Sequence, residues 1–156
     1  MKTVAVLGAS ANRNKYGNKA VRAYQRLGYE VYPINLNEHT IEGVRCYTSV
    51  RDLPVVPDKL LVYLPPETVL HLMPEIAEKG CGEFWLNPGT ESDAVLFDAE
   101  KFGLNCIQGC SLVAAGFTEM DFELADLSRQ PALLVADIRA GCKTCRQIRT
   151  PPPCRT

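Results

Sequence analysis

Two basic residues, Arg13 and Lys15, lie between two glycines, Gly8 and Gly17, in a loop of small and polar residues. A short apolar run ends at Gly8, and a helical pattern begins near Gly17. The N–H groups and the positive dipole end of such a helix would face the same loop. This pattern predicts an anion site in which side chains and backbone amides together bind phosphate. The residues predicted to form it are Gly8, Ala9, Ser10, Arg13, Lys15, Tyr16 and Gly17.

Cysteine and histidine are the other residue types that could do chemistry. The chain has seven cysteines and two histidines, and an odd cysteine count argues against a disulfide framework. Cys110 follows a predicted strand, so its thiol could face a ligand. Cys142-x-x-Cys145 with Cys154 has the spacing of zinc ligands, but no fourth ligand lies nearby in sequence. We therefore predict no metal site.

Catalytic patterns are absent from the sequence. His39 and His71 are far apart, and no Ser/His/Asp order or paired carboxylates suggest acid–base or nucleophilic catalysis. The sequence favours a binding protein over an enzyme.

The elements that must position the loop alternate between strands and helices. Apolar runs predict strands at 3–7, 29–34, 44–47, 59–64, 83–86 and 104–108, and helical spacing predicts helices at 17–27, 66–79 and 90–102. Pro74 should kink or split the second helix. Short connections between such elements require parallel strands with right-handed crossovers. We therefore expect an α/β, doubly wound, mainly parallel sheet of five or six strands with flanking helices, and a ligand at its carboxyl edge.

Composition indicates one main domain. Of 156 residues, 46% are apolar and 22% charged, and the net charge of −1 argues against nucleic acid as a partner. No apolar run is long enough to cross a membrane, and no signal peptide precedes the first strand, so we expect a cytoplasmic protein. We predict a binding domain over 1–125 and a C-terminal extension over 126–156. The last part of the extension is basic, contains three consecutive prolines and is expected to be flexible.

The residues after the second strand bear on which nucleotide is bound. Dinucleotide-binding domains usually place an acidic residue there to bind the ribose hydroxyls, whereas this chain has Asn35, Leu36 and Asn37. Gly8 and Gly17 are also too far apart for the compact G-x-G-x-x-G motif. Both observations disfavour an NAD(P)-binding oxidoreductase, which stays the alternative reading.

Several motifs together resemble those of the single-domain CoA-binding proteins, which are related to the CoA-binding domain of the succinyl-CoA synthetase alpha subunit. The resemblance implies a Rossmann-like fold that binds coenzyme A or an acyl-CoA, with no demonstrated reaction. It covers roughly three quarters of the chain, and Asn87 and Gly109 replace a glutamine and an arginine frequent in the family. The matching segments are GASANRNKYGN (8–18), PINLN (33–37), EGVRCYTSVRDLP (42–54), LPPE (64–67), WLNPGTES (85–92) and CSLV (110–113).

Coenzyme A carries a pyrophosphate and a ribose 3′-phosphate, which Ser10, Arg13 and Lys15 could bind. Asn35 and Asn37 suit the adenosine-phosphate end, because a carboxylate there would repel phosphate. A further alternative is a CoA-thiol redox protein that uses Cys110. The other expected contacts are an apolar wall of Leu64, Pro65 and Pro66 and amide contacts to pantetheine from Asn87 and Gly89.

Overall fold

The computed structural model describes residues 1–127. Met1–Thr118 form one compact unit, and a second unit begins at Glu119. The predicted basic tail, the apolar segment 131–138 and the three cysteines at 142, 145 and 154 lie outside the described residues. The predicted boundary between 125 and 126 stays a prediction.

Seven strands are present in the described part of the chain. They are β1 (Thr3–Leu7), β2 (Glu30–Ile34), β3 (Thr40–Ile41), β4 (Val44–Arg45), β5 (Lys59–Val62), β6 (Glu83–Leu86) and β7 (Cys106–Gln108). The helices described are α1 (Tyr16–Arg26), α2 (Pro66–Lys79), α3 (Asp93–Lys101), α4 (Ser111–Ala114) and α5 (Glu119–Leu127), with a 3₁₀ turn at Val50–Asp52.

Five of the strands form one parallel sheet in the order β2-β1-β5-β6-β7. After β2 the chain crosses to the other side of β1, so strand order reverses between β1 and β5. The doubly wound α/β fold expected from the sequence is confirmed, with five strands in the sheet. The short strand predicted at 44–47 instead pairs with β3 in a separate hairpin, and Tyr47 alone bridges to the sheet at Ile34.

Helices cover both faces of the sheet. Ala5 and Leu7 of β1 pack in one core cluster with residues of α2 and α3, such as Met73 and Val95. Val4 and Val6 are equally buried, and strand alternation directs them to the opposite face. Right-handed crossovers that lead to strands on opposite sides of β1 place their helices on opposite faces of the sheet. Helix α1 therefore covers the face of Val4 and Val6.

Helix α2 differs from the prediction at Pro74. The helix runs unbroken from Pro66 to Lys79 with Pro74 inside it, so a split is wrong, and the alternative of a kink stays a prediction. Met73 and Ile76, on either side of the proline, are fully buried. Their packing against the sheet outweighs the lost backbone hydrogen bond, which costs about 3 kcal/mol in an isolated helix.

Within residues 1–127, no helix combines the length and the apolar character needed to span a bilayer.

Candidate functional site

The strand register places five residues in a row along the carboxyl edge of the sheet. Leu7 is aligned with Ile34 on one side and with Val62 on the other, and Val62 is aligned with Leu86, which is aligned with Gln108. The residues that follow these strand ends therefore share one edge. They are Gly8, Asn35, Tyr63, Asn87 and Gly109.

Gly8 lies where strand order reverses, which is the usual ligand position in such sheets. Its φ is +88°, and a Cβ on it would be 2.7 Å from the carbonyl oxygen of Tyr63. Gly17 approaches from the other side, since a Cβ on it would be 2.4 Å from the carbonyl oxygen of Gly8. The two glycines allow the first turn of α1 to contact the end of β1. The predicted binding of phosphate there stays a prediction.

The start of α1 is available to an anion. Lys15, the N-cap residue, is extended and makes no capping hydrogen bond through its side chain, and the first turn contains no acidic residue. The Lys15 ammonium has no ion-pair partner among the described residues. Backbone amides and a lysine side chain therefore converge at the positive end of the helix dipole.

A cleft of about 720 Å³ opens beside this helix start. Its wall combines the loop after β1 with the turns after β5 and β6. Most of the predicted site residues lie in it. Its lining residues are Gly8, Ala9, Ser10, Asn14, Lys15, Tyr16, Gly17, Asn35, Tyr63, Leu64, Pro65, Pro88, Gly89 and Thr90.

A second, more apolar pocket of about 430 Å³ adjoins the cleft. Gly8, Asn35 and Leu64 line both cavities. The smaller pocket lies between the end of β2, the 3₁₀ turn and α2. Its lining residues are Leu7, Gly8, Ile34, Asn35, Leu36, Asn37, Thr48, Ser49, Val50, Leu64, Thr68, Leu72 and Glu75.

A buried polar network that the sequence analysis missed supports the loop after β1. The Asn18 amide donates to the Ser10 carbonyl oxygen at 2.8 Å and to Glu42 Oε1 at 3.0 Å. Arg22 donates from Nε to Asn18 Oδ1 and from Nη2 to the Arg13 carbonyl oxygen, both at 2.8 Å. The i, i+4 spacing of Asn18 and Arg22 on a predicted helix could have indicated their contact from the sequence. No local pattern indicated that Asn18 would also bond to Glu42 on the hairpin.

Glu42 occupies the tip of the β3–β4 hairpin. Its φ is +50° and that of Gly43 is +77°, so the two-residue turn has the left-handed backbone typical of type I′ hairpins. A glutamate rarely adopts this conformation, and its bonds to α1 and the loop offset the strain. Burial raises the pKa of the Glu42 carboxyl, but hydrogen bonds from Asn18 and Arg13 and the charge of Arg22 outweigh burial and lower the pKa below its ordinary value.

Arg13 takes part in this network. Its Nη1 pairs with Glu42 Oε2 at 2.6 Å, and its side chain does not line either cavity. The structure thus separates the two bases that the sequence grouped together, since Lys15 lines the cleft and Arg13 anchors the loop to the hairpin. The predicted phosphate contact of Arg13 stays a prediction.

Asn35 connects the second strand to the loop. Its Nδ2 donates to the Ala9 carbonyl oxygen at 2.7 Å, and its Oδ1 accepts from the Asn37 backbone N–H at 2.8 Å. Asn37 itself is exposed and lines the smaller pocket. Asn35 therefore fixes the width of the opening shared by the two cavities, in addition to facing it.

Asn87 is buried, and both polar atoms of its side chain are hydrogen-bonded. Its Nδ2 donates to the Val62 carbonyl oxygen at 3.0 Å, and its Oδ1 accepts from the Ser111 N–H and Oγ–H, both at 2.8 Å. Asn87 does not line either cavity. Its direct contact with pantetheine stays a prediction.

Tyr63 extends this chain of hydrogen bonds into the larger cleft. Its Oη lies 2.9 Å from Ser111 Oγ, and because Ser111 donates to Asn87, Tyr63 is the donor. Burial raises the pKa of the Tyr63 phenol well above its ordinary value, so the phenol stays protonated. Tyr63 and Ser111 are site residues that the sequence analysis did not select.

The turn after β6 directs two backbone amides toward the Glu91 carboxylate. The N–H groups of Gly89 and Thr90 donate to it at 2.9 and 3.0 Å, and the Thr90 N–H also donates to the Asn87 carbonyl oxygen at 3.0 Å. Gly89 has a φ of +89° and lines the cleft, as does Thr90. The predicted amide contact at Gly89 is therefore geometrically possible, in competition with Glu91.

The remaining predicted residues differ in position. Leu64 and Pro65 line the cleft, whereas Pro66 begins α2 and does not line a cavity. Cys110 is the N-cap residue of α4, half-buried and outside both linings. Its predicted contact with the ligand stays a prediction.

No cluster of three or more potential metal ligands occurs in the described part of the chain.

Comparisons with known proteins relate the chain to coenzyme A proteins. A family model described as the CoA binding domain matches residues 2–116. A solved structure of a conserved hypothetical protein from Pyrococcus furiosus is 36% identical, with a TM-score of 0.68 over 73% of this chain and 99% of that one.

Two larger proteins share part of this region. The alpha subunit of acetate–CoA ligase [ADP-forming] II from Pyrococcus furiosus is 36% identical over 80 residues, which are 49% of this chain and 17% of that protein. The dinucleotide-forming acetyl-coenzyme A synthetase 1 of Ca. Korarchaeum cryptofilum, solved with phosphate and ADP, is 25% identical. Its TM-score is 0.61 over 68% of this chain and 25% of that one. The chain thus matches only a small part of these ligases.

Proposed function

The chain belongs to the CoA-binding domain family, and on that premise we propose that it binds coenzyme A or an acyl-CoA along the carboxyl edge of its sheet. The observation that supports this most is the pair of adjoining cavities that share Gly8, Asn35 and Leu64. A molecule with a planar aromatic base, a charged centre and a long amide-containing arm suits such a surface.

The pyrophosphate binds at the start of α1. Lys15 and the first-turn amides supply positive charge there, and Gly8 and Gly17 let the backbone approach the phosphate oxygens closely. A phosphate accepts several charge-assisted hydrogen bonds, which are the strongest available to a surface site. This contact supplies most of the affinity.

The adenine ring occupies the smaller pocket, between Ile34, Leu64 and Leu72. The pantetheine arm crosses the turn after β6, where the Gly89 N–H donates to one of its carbonyl oxygens once Glu91 is displaced. Asn35 and Asn37 face the adenosine-phosphate end without a repelling carboxylate.

We place the function in binding, not in catalysis. The polar side chains at the sheet edge, including Asn35, Asn87 and Ser111, connect loops to one another. The acetate–CoA ligase relatives carry this region as 12–18% of their length, so ligase activity would require segments that the matched region does not supply. The domain alone would carry or sense coenzyme A.

Thermal unfolding with a panel of ligands tests the proposal. At a concentration about 100 times Kd, a ligand that binds only the folded state stabilises it by about 2.7 kcal/mol. For a chain of this size we expect coenzyme A and acetyl-CoA to raise Tm by about 5–10 °C. NAD and NADP at the same concentrations should cause little change. A shift with NAD or NADP alone would reject coenzyme A as the ligand and favour the oxidoreductase-like alternative.

A further inference from the structure

A single charged side chain, Glu75 of α2, lines the smaller pocket within the described residues. The rest of the wall consists of apolar side chains, hydroxyls, amides and backbone. A carboxylate in such a wall disfavours phosphate and other anions. It attracts hydrogen-bond donors, so it constrains which part of a ligand can enter.

The Glu75 carboxylate is held in place through one of its oxygens. Ser49 Oγ–H donates to Glu75 Oε1, and the Arg51 N–H donates to Ser49 Oγ at 3.0 Å and lies 3.5 Å from the same Oε1. The second oxygen, Oε2, has no hydrogen-bond partner among residues 1–127. An oriented acceptor is therefore left for a ligand that fills the pocket.

We propose that Glu75 accepts a hydrogen bond from the exocyclic 6-amino group of the ligand's base and makes the site specific for adenine. This role rests on the proposed function, the binding of coenzyme A. Adenine carries a donor at this position, whereas hypoxanthine and guanine carry a carbonyl oxygen, an acceptor. Two acceptors facing each other in a partly desolvated pocket repel, and each remains without a donor. The carboxylate thus selects among purines that fit equally well.

The apolar side chains around Glu75 support this assignment to the base. Leu64 and Leu72 provide flat contact surfaces, and Leu36 lies at the mouth with 79% of its surface exposed. A planar ring in the pocket would cover part of Leu36. The ribose and its phosphates would then lie toward Asn35 and Asn37, away from the carboxylate.

Binding of coenzyme A and of its hypoxanthine analogue, measured by isothermal titration calorimetry, tests the role of Glu75. In the wild type we expect the analogue to bind about tenfold more weakly or worse, because its carbonyl oxygen and the Glu75 carboxylate are both acceptors and neither gains a donor. In Glu75→Gln the side-chain amide can accept from an amino group or donate to a carbonyl. The ratio of the Kd of the analogue to the Kd of coenzyme A should therefore fall below about threefold.

Glu78→Gln is the matched control. Glu78 lies three residues further along α2, pairs with Arg51 at 2.8 Å on the exposed surface and does not line the pocket. The Glu78→Gln variant should keep the wild-type ratio of the two Kd values. Thermal unfolding of each variant without ligand checks that the fold is retained.

The outcomes separate this role from the proposed function. If the wild type binds coenzyme A and its analogue equally, or if Glu75→Gln keeps the full ratio, adenine reading by Glu75 is overturned while coenzyme A binding stands. If the wild type binds neither molecule, the proposed function fails, and the role of Glu75 fails with it.

Discussion

The carbonyl oxygen of Gly8 lies so close to the α-carbon of Gly17 that a Cβ on Gly17 would be 2.4 Å from it. This contact joins the end of the first strand to the first turn of the first helix. It brings backbone amides, the helix dipole and Lys15 to the same side of the cleft.

Gly17→Ala should therefore reduce both stability and ligand binding. The added methyl must push α1 away from the loop, and such overpacking costs about 1–3 kcal/mol. We expect a lower Tm and the loss of most of the stabilisation by coenzyme A, measured by thermal unfolding with and without ligand. Gly28→Ala is the control, since Gly28 also resists substitution because of its φ of +79° but has open space around its α-carbon. Equal loss of coenzyme A binding in both variants would contradict a specific role for the Gly8–Gly17 contact.

Lys15→Ala should weaken coenzyme A binding by about tenfold, which corresponds to about 1.4 kcal/mol for one charge-assisted contact. The remaining binding should depend less on salt concentration, because one charge pair is lost. Calorimetry at two ionic strengths measures both effects. Lys19→Ala is the control, since Lys19 lies over the Tyr16 ring at 4.9 Å and does not line the cleft. An unchanged affinity in Lys15→Ala would show that the phosphate assignment is wrong.

Glu42→Gln should lower stability at neutral pH by about 2 kcal/mol, because charged hydrogen bonds to Asn18 and Arg13 are weakened. The folded-state pKa of Glu42 lies below its unfolded value. Its contribution to stability is therefore present above the unfolded pKa of about 4.3 and is lost as pH falls through the folded pKa. Denaturant unfolding at pH 7 and at stepwise lower pH should show the wild type and the variant converging in acid. A constant difference at every pH would contradict this linkage.

Asn87→Ala should be among the most destabilising changes at the sheet edge. It leaves the Val62 carbonyl and the Ser111 N–H without their partner in a buried region. Each unsatisfied group costs about 1–3 kcal/mol, so we expect a loss of about 3 kcal/mol in the free energy of unfolding. Asn105→Ala, which removes one long hydrogen bond of 3.4 Å at an exposed position, should change stability by about 0.5 kcal/mol or less. Similar losses of stability in the two variants would contradict a stabilising role for the buried hydrogen bonds of Asn87.

Much of the fold follows from local sequence patterns. The first strand was predicted at its observed bounds, and the glycines that follow the helices predicted at 17–27 and 66–79, Gly28 and Gly80, have positive φ. Ser92 caps α3 by accepting from the Val95 N–H. These features depend on side-chain periodicity and on the turn chemistry of a few neighbouring residues, which a single sequence displays directly.

Local patterns mislead where tertiary packing decides the outcome. A split of the helix at Pro74 was expected, but burial of Met73 and Ile76 keeps the helix unbroken. The short strand predicted at 44–47 is present at Val44–Arg45, but it pairs with β3 and not with the main sheet. At Pro74 the local preference is worth about 3 kcal/mol, and packing of its buried neighbours exceeds it.

The sequence by itself determined the α/β class, the loops that meet at the carboxyl edge and the concentration of small and basic residues between Gly8 and Gly17. Only the tertiary structure decided which side chains face the cleft. It places Lys15 in the lining of the cleft, pairs Arg13 with Glu42 and joins Asn87 to Ser111 by hydrogen bonds. The partners of Arg13 and Asn87 lie 29 and 24 residues away in sequence. Such pairs depend on strand register and hairpin placement, which no local pattern specifies.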